Sequence, residues 1–150
     1  MTTRVTPYLC VKGAAQALDF YKQAFGARET MRLNEPGSTR IGHAEIEIDG
    51  ATVMLADEFP EHGVVSPRSL GGTAVSLALQ VSDVDRVVER AAAAGATVLM
   101  PVADQFYGER SAKLEDPFGH HWHVSTTVEK VSPDEMQRRY EALTAGTKKG

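Results

Sequence analysis

Two short runs in this sequence place imidazole and carboxylate side chains at every second position. His43, Glu45 and Glu47 form the first run, and His121 and His123 form the second. Since successive side chains of a β-strand point to opposite faces, each run presents its polar groups on one face, about 7 Å apart. Such groups are suited to proton transfer, to metal binding or to hydrogen bonding with a polar ligand.

The first run belongs to a predicted hairpin. Residues 41–48 alternate, the Asp49-Gly50 pair is a strong signal for a two-residue turn, and residues 52–56 return. Directly paired residues lie on one face, so this turn predicts a polar face made of His43, Glu45, Glu47, Thr52 and Met54. The opposite, apolar face, which must pack on helices, is made of Ala44, Ile46, Ile48, Val53 and Leu55.

Two glycine landmarks indicate that the chain carries the same unit twice. Gly26 and Gly95 each follow a helix-like stretch, Gly50 and Gly119 each separate two strand-like runs, and the members of both pairs lie 69 residues apart. A fixed internal spacing is typical of a duplicated architecture. The sequence therefore predicts an α+β fold of two tandem βαβββ modules. They occupy residues 1–57 and 73–127, with a linker at 58–72 and a C-terminal helix and tail at 128–150.

Apolar spacing predicts the elements of each module. In the first module these are strands at 5–11, 28–34, 41–48 and 52–56 and a helix at 14–25. In the second they are strands at 73–81, 97–102, 110–114 and 121–127, with a helix that Ser82 caps and Gly95 ends. Ser132 as N-cap, Pro133 and Glu135 predict a third helix that runs to about Leu143, followed by a disordered end at 144–150.

The repeat distance also predicts which side chains of the second module share the polar face. Adding 69 to the positions of the first hairpin selects Arg110, Ala112, Leu114, His121, His123 and Ser125. A polar face of this kind is either exposed to solvent, as is common in antiparallel sheets, or lines a ligand pocket. In the second case Arg110 suits a carboxylate or phosphate, because its planar guanidinium donates two parallel hydrogen bonds.

Composition argues against several classes of function. The formal net charge is −4 and the pI is near 5.7, whereas nucleic-acid binding depends on clustered Lys and Arg. No apolar run approaches the roughly 18 residues of a membrane span. Cys10 is the only cysteine, which excludes an intrachain disulfide, and the N-terminus has no signal-like apolar stretch. We expect a cytoplasmic protein that contacts neither nucleic acid nor membrane.

Several short segments resemble the vicinal oxygen chelate superfamily, which includes glyoxalase I, bleomycin-resistance proteins and extradiol dioxygenases. Residues 17–21 (ALDFY) and 25–27 (FGA) are similar to its first-helix signature, and residues 116–120 (DPFGH) with Trp122 are similar to its last-hairpin signature. Residues 131–136 (VSPDEM) resemble a PhnB-like branch. The resemblance implies a cup-shaped mixed sheet with helices outside and a ligand pocket on the concave face. It also implies a homodimer.

Metal-dependent members of this superfamily hold a divalent ion with His and Glu at four strand positions. The resemblance puts those positions at Thr6, Met54, Ser76 and His123, of which only His123 is a usual ligand. We therefore expect no cofactor and no metal at the usual site. A divalent metal at a shifted site, made of His and Glu side chains on the polar face, stays an alternative.

Three classes of function are consistent with this sequence. The first is a metal-free protein that binds a small polar or anionic molecule in the concave pocket, through the candidate residues His43, Met54, Ser76, Arg110, His121 and His123. The second is an enzyme. It is either a metal-dependent lyase, isomerase or dioxygenase with a shifted site, or a glyoxalase-like lyase or isomerase with Glu45 or Glu47 as general base beside His43. The third is a protein that only presents its surface to a partner.

Overall fold

The computed structural model describes residues 1–147 of the chain. The strands are β1 (Tyr8–Val11), β2 (Arg28–Asn34), β3 (Ile41–Ile48), β4 (Ala51–Asp57), β5 (Ser76–Gln80), β6 (Thr97–Asp104), β7 (Glu109–Glu115) and β8 (His121–Thr127). The helices are α1 (Ala14–Phe25), α2 (Pro67–Leu70), α3 (Val84–Ala94) and α4 (Pro133–Thr147), with a short 3₁₀ turn at Pro60–His62. The turn and α2 both lie within the segment that was predicted to link the modules.

The strands form two sheets with the same topology. The first sheet has the order β1-β4-β3-β2 and the second has the order β5-β8-β7-β6. In each sheet the first strand of the module runs parallel to the last, and the other neighbours are antiparallel. The predicted α+β fold of two βαβββ modules with outer helices and a C-terminal helix is therefore confirmed. In the described part of the chain, the two modules contribute separate sheets.

Helix α1 forms because its apolar side chains recur at helical spacing and share one face. Ala17, Leu18 and Tyr21 on that face are fully buried. The helix ends at Gly26, whose φ of 66° lies in the left-handed region that glycine adopts without strain. The N–H of Gly26 donates to the carbonyl of Lys22 and closes the last turn.

Helix α3 begins one residue later than the sequence indicated. Its cap is Asp83, whose carboxylate accepts a hydrogen bond from the N–H of Arg86 at 3.2 Å, so the predicted Ser82 cap is wrong. The charged carboxylate has the advantage that it also interacts with the positive end of the helix dipole. The buried face of the helix is made of Val84, Val88 and Ala91.

A buried polar contact joins the two modules. The hydroxyl of Tyr21 on α1 donates to Asp116 Oδ2, just after β7, at 2.6 Å. The same carboxylate accepts from Trp122 Nε1 and, through Oδ1, from the N–H groups of Phe118 and His120. Four donors converge on one buried carboxylate. Asp116 is therefore a structural group that fixes the second hairpin against α1.

Two strands are shorter than the sequence indicated. β1 begins at Tyr8 rather than at residue 5, since Pro7 ahead of it has no N–H to donate to a ladder. β5 begins at Ser76 rather than at residue 73, because the chain before it makes a local turn in which the N–H of Val75 donates to Thr73 Oγ1. Both differences lie at the entrance to a module and leave the strand order unchanged.

The segment after the second module folds into α4. The N–H of Glu135 donates to Ser132 Oγ at 3.2 Å, which confirms the predicted cap. The disorder predicted from residue 144 is wrong for 144–147, which are helical, and residues 148–150 lie outside the described part. A threonine hydroxyl in this stretch bonds back to a carbonyl one turn earlier, so it does not oppose the helix. None of the helices within residues 1–147 is long and apolar enough to cross a membrane.

Candidate functional site

The face of each sheet opposite the helices, here called the open face, carries the candidate site residues with the exception of Arg110. In the first sheet the register pairs Ile48 with Ala51 and Glu45 with Met54, as a two-residue turn requires. The apolar residues of the other face are buried as predicted: Ala44, Ile46, Ile48, Val53 and Leu55. The polar face predicted for the first hairpin is therefore confirmed.

Tyr8, His43 and Glu45 form a hydrogen-bonded row on this open face. Tyr8 Oη lies 2.6 Å from His43 Nδ1, and His43 Nε2 lies 2.8 Å from Glu45 Oε2. An ionised carboxylate can only accept, so Nε2 carries a proton and Nδ1 accepts from the Tyr8 hydroxyl. Partial burial, with Glu45 and Cys10 nearby, raises the pKa of Tyr8 above its ordinary value of 10.0. The phenol therefore stays protonated as the donor at neutral pH.

Tyr8 is a site residue that the sequence analysis missed. β1 runs parallel to β4 with Tyr8 opposite Met54, and this register brings the phenol onto the polar face. The alternation of β1 indicates this position, because Leu9 and Val11 are buried in the core and Tyr8 must therefore face the other way.

Two other titratable groups near this row do not join it in the described structure. Glu47, a candidate general base, forms an ion pair with Arg28 at 3.0 Å near the exposed edge of the sheet. Cys10 is partly buried, and burial together with Glu58 and Asp57 raises the pKa of its thiol to about 11. Since the thiolate is the reactive form, Cys10 is a poor nucleophile at neutral pH.

The open face of the second sheet carries both predicted histidines. The register places His121 opposite Glu115 and His123 opposite Lys113. His121 Nε2 lies 3.1 Å from Glu115 Oε1, and His123 Nε2 lies 3.9 Å from Glu109 Oε2. His121 and His123 therefore share a face as predicted, but their neighbours on β7 are carboxylates and an amine.

Arg110 does not lie on this open face, and the prediction that placed it there is wrong. It is opposite Thr126 on the helix side of the sheet. Its guanidinium donates to the carboxylate of Asp85 in α3 at 2.9 and 3.0 Å and to Asp104 at 3.2 Å. The Arg110 guanidinium, which was expected to bind an anionic ligand, is therefore already paired with two carboxylates.

One additional turn residue explains the error. In the second hairpin the N–H of Asp116 donates to the carbonyl of His120, with three residues between them, whereas the first hairpin turns on Asp49 and Gly50 alone. A shift of one residue moves every side chain of a strand to the other face. The residues that this shift brings onto the open face of β7 are Ser111, Lys113 and Glu115.

A cleft of about 880 Å³ lies between the modules. Its walls come from residues 4–7, from the first hairpin and from β5. Three of the predicted site residues line it, namely Glu45, Met54 and Ser76.

A smaller cavity of about 350 Å³ lies against the open face of the second sheet. Its walls are made of Ser76, Met100, Gln105, Tyr107, Ser111, Ala112, Lys113 and His123. Ser76 therefore borders both cavities. Neither cavity is lined by His43, Glu47, Arg110 or His121. The structure thus brings Ser76 and His123 together in one cavity but does not add His43 to it.

The donor groups at the superfamily's metal positions do not fit a divalent ion. Thr6, Met54 and Ser76 line the larger cleft, and His123 lines the smaller cavity with Ser76. Zinc and similar ions take three or four imidazole, thiolate or carboxylate ligands, whereas this set has one imidazole, two hydroxyls and a thioether. Across residues 1–147 there is also no group of three His, Cys, Asp or Glu side chains arranged to hold a metal.

Comparisons with known proteins match this architecture. A sequence model of the Glyoxalase/Bleomycin resistance protein/Dioxygenase superfamily matches residues 3–124. An uncharacterized protein of Mycobacterium bovis is 45% identical over 136 residues, which cover 89% of each chain. TioX from Micromonospora sp. ML1 has a crystal structure that is similar with a TM-score of 0.64 and 26% identity, over 87% of this chain and 100% of that one.

A PhnB protein from Bacillus cereus shares the fold at 19% identity. Its structure is similar with a TM-score of 0.67, over 83% of this chain and 100% of that one. The superfamily match over residues 3–124 includes both the helix and the hairpin signatures. The chain therefore belongs to the glyoxalase/bleomycin resistance protein/dioxygenase superfamily, as its motifs indicated.

Proposed function

We propose that this protein binds a small anionic molecule, without a metal ion, in the 350 Å³ cavity of the second module. The observation that carries the proposal is the position of Lys113 in the cavity wall. Within residues 1–147 the Lys113 ammonium has no hydrogen bond and no carboxylate within ion-pair distance. A partly buried cation without a counterion is a natural binding group for a carboxylate or phosphate.

The other polar groups of the cavity complement this charge. The hydroxyls of Ser76, Ser111 and Tyr107 and the amide of Gln105 are neutral donors, and His123 adds an imidazole. Met100 supplies apolar contact. A volume of about 350 Å³ is at the small end of the usual range of roughly 300 to 1,000 Å³ for ligand cavities. These features favour a compact ligand with one anionic group and an apolar part.

Benzoate and benzamide form a matched pair of probes, since they differ in charge but hardly in shape. We expect calorimetry or NMR titration to show benzoate binding and much weaker benzamide binding. Lys113→Met should weaken benzoate binding at least about tenfold, because a hydrogen bond to a charged group contributes roughly 1.5 to 3 kcal/mol. Lys130→Met, at an exposed lysine outside the cavity, is the control and should bind as the wild type does.

Two results would contradict the proposal. Equal binding of benzoate and benzamide would show that the cavity does not select a negative charge. Equal loss in the two lysine variants would show that only the overall charge of the protein matters. Elemental analysis of untagged protein tests the metal-free part: one tightly bound zinc, nickel or iron per chain would favour the alternative of a metal-dependent lyase, isomerase or dioxygenase.

The same proposal includes a homodimer in the cytoplasm. Large apolar side chains are exposed on the edge strands and on α4, among them Leu33 at 53%, Met100 at 56% and Leu143 at 58%. A homodimer would bury side chains of this kind between its two copies. Light scattering at micromolar concentration should give the mass of two chains, and a monomer alone would exclude this part of the proposal.

A further inference from the structure

We propose that Tyr8, His43 and Glu45 form a proton relay, in which the Tyr8 oxygen takes a proton from a weakly acidic group of a bound molecule. The inference concerns the first module and does not depend on the anion cavity of the second. It names Tyr8, which the sequence analysis missed, as the group that meets the ligand.

The hydrogen bonds of the row give the direction of transfer. Tyr8 already donates its proton to His43 Nδ1 at 2.6 Å, so the free lone pairs of the phenol oxygen face outward. At the other end, Glu45 holds the Nε2–H of His43 at 2.8 Å and orients the imidazole. This is the arrangement of an acid–base chain in which a carboxylate fixes the tautomer of the imidazole that takes the proton.

Each proton in the step has a defined destination. The ligand's O–H or activated C–H bond breaks and its proton bonds to Tyr8 Oη, while the electron pair stays on the ligand. The phenol's own proton moves to His43 Nδ1. The resulting imidazolium lies beside the ionised Glu45 carboxylate, which offsets the new positive charge. No oxidant, reductant or metal is required.

Tyr8 is the most exposed member of the row, and His43 in the middle is the least exposed. The residue Tyr8 is 52% exposed, while the side chains of His43 and Glu45 are 20% and 31% exposed. A ligand therefore reaches the phenol more readily than the imidazole. Tyr8 adjoins the wall of the 880 Å³ cleft, because its chain neighbour Pro7, its strand partner Met54 and Glu45 of the same row all line that cleft. The cleft gives an organic weak acid a place to bind beside the phenol.

The relay can be tested with 5-nitrobenzisoxazole, a small carbon acid that opens to a coloured phenolate when a base removes its C–H proton. The wild type should accelerate the opening, and Tyr8→Phe and His43→Gln should each reduce this acceleration at least about tenfold, since a positioned base contributes roughly 10² to 10⁴. His62→Gln, at an exposed histidine far from the row in sequence, is the matched control and should not change the rate.

Two outcomes would overturn the inference. If Glu45→Gln abolishes the acceleration while Tyr8→Phe leaves it intact, the carboxylate takes the proton directly and the phenol has no part. If all variants and the wild type react alike, the row is not a base. A second measurement needs no ligand: nitrogen chemical shifts of His43 should show the neutral Nε2–H tautomer, and the Nδ1–H tautomer would contradict the direction of the relay.

Discussion

Replacing Tyr21 by Phe should lower the stability of the whole chain, because this hydroxyl links the two modules. Tyr21 is fully buried, and its donation to Asp116 Oδ2 at 2.6 Å is a hydrogen bond to a charged group. Burial, with Asp116 nearby, raises the pKa of Tyr21 well above 10.0, so the phenol remains the donor at any ordinary pH. Only the hydroxyl is lost in Tyr21→Phe, and the ring keeps its contacts with Phe118 and Trp122.

The expected cost follows from what remains at the carboxylate. A hydrogen bond to a charged group contributes roughly 1.5 to 3 kcal/mol. Asp116 keeps three donors after the substitution, from Trp122, Phe118 and His120, so we expect a value near the middle, about 2 kcal/mol. With a urea m value of about 2 kcal/mol/M, the midpoint of unfolding should fall by about 1 M.

A matched control separates this bond from the general effect of removing a phenol. Tyr140→Phe keeps the ring contact with Phe106 and removes a hydroxyl from an exposed residue, so it should change stability by less than about 0.5 kcal/mol. If urea unfolding gives the same midpoint for Tyr21→Phe as for Tyr140→Phe, the buried bond does not couple the modules and the reasoning fails.

Three further substitutions or measurements test the backbone, an ion pair and the thiol. Gly108→Ala should cost about 2 kcal/mol more than Gly37→Ala in thermal unfolding, because both have positive φ but only at Gly108 would a Cβ strike a neighbouring backbone carbonyl. Glu29→Gln should cost about 1 kcal/mol at pH 7 and nothing near pH 2, since hydrogen bonds from Arg32 and a neighbouring lysine hold the pKa of Glu29 at about 2. That stability is present above the ordinary pKa of 4.5 and is lost as the pH falls to about 2; a pH-independent cost would contradict the pairing. Alkylation of Cys10 by iodoacetamide should rise about tenfold per pH unit up to pH 10, and a plateau by pH 8 would exclude the raised pKa.

The fold could be predicted from local signals that tertiary contacts did not override. The Asp49-Gly50 turn adopts positive φ at both residues, as a two-residue hairpin turn needs, and it fixed the face of every side chain in β3 and β4. Gly26 closes α1 as expected. Where a boundary was wrong, a single group decided it, such as the Asp83 carboxylate that caps α3 in place of Ser82.

The site was harder to predict because the face on which a strand residue lies depends on the length of the adjoining turn. Adding 69 residues gives the correct face for β8, where His123 is equivalent to Met54. One extra residue in the turn between β7 and β8 places each side chain of β7 on the face opposite to the predicted one. Arg110 was therefore assigned to the wrong face, and Lys113 was not recognised. A residue count cannot show that inversion, since the Asp116 carboxylate stabilises the wider turn through contacts with α1 that are distant in sequence.

In the observed register, equivalent strand positions of the two modules carry different charged groups. Glu45 lies opposite Met54 in the first sheet, and Lys113 lies opposite His123 at the equivalent place in the second. The same strand position thus presents a carboxylate in one module and an ammonium in the other. The carboxylate is hydrogen-bonded to His43 in the proposed relay, whereas the ammonium is the proposed anion-binding group. Ser76 borders both cavities, so the proposed anion site and the cleft share one wall.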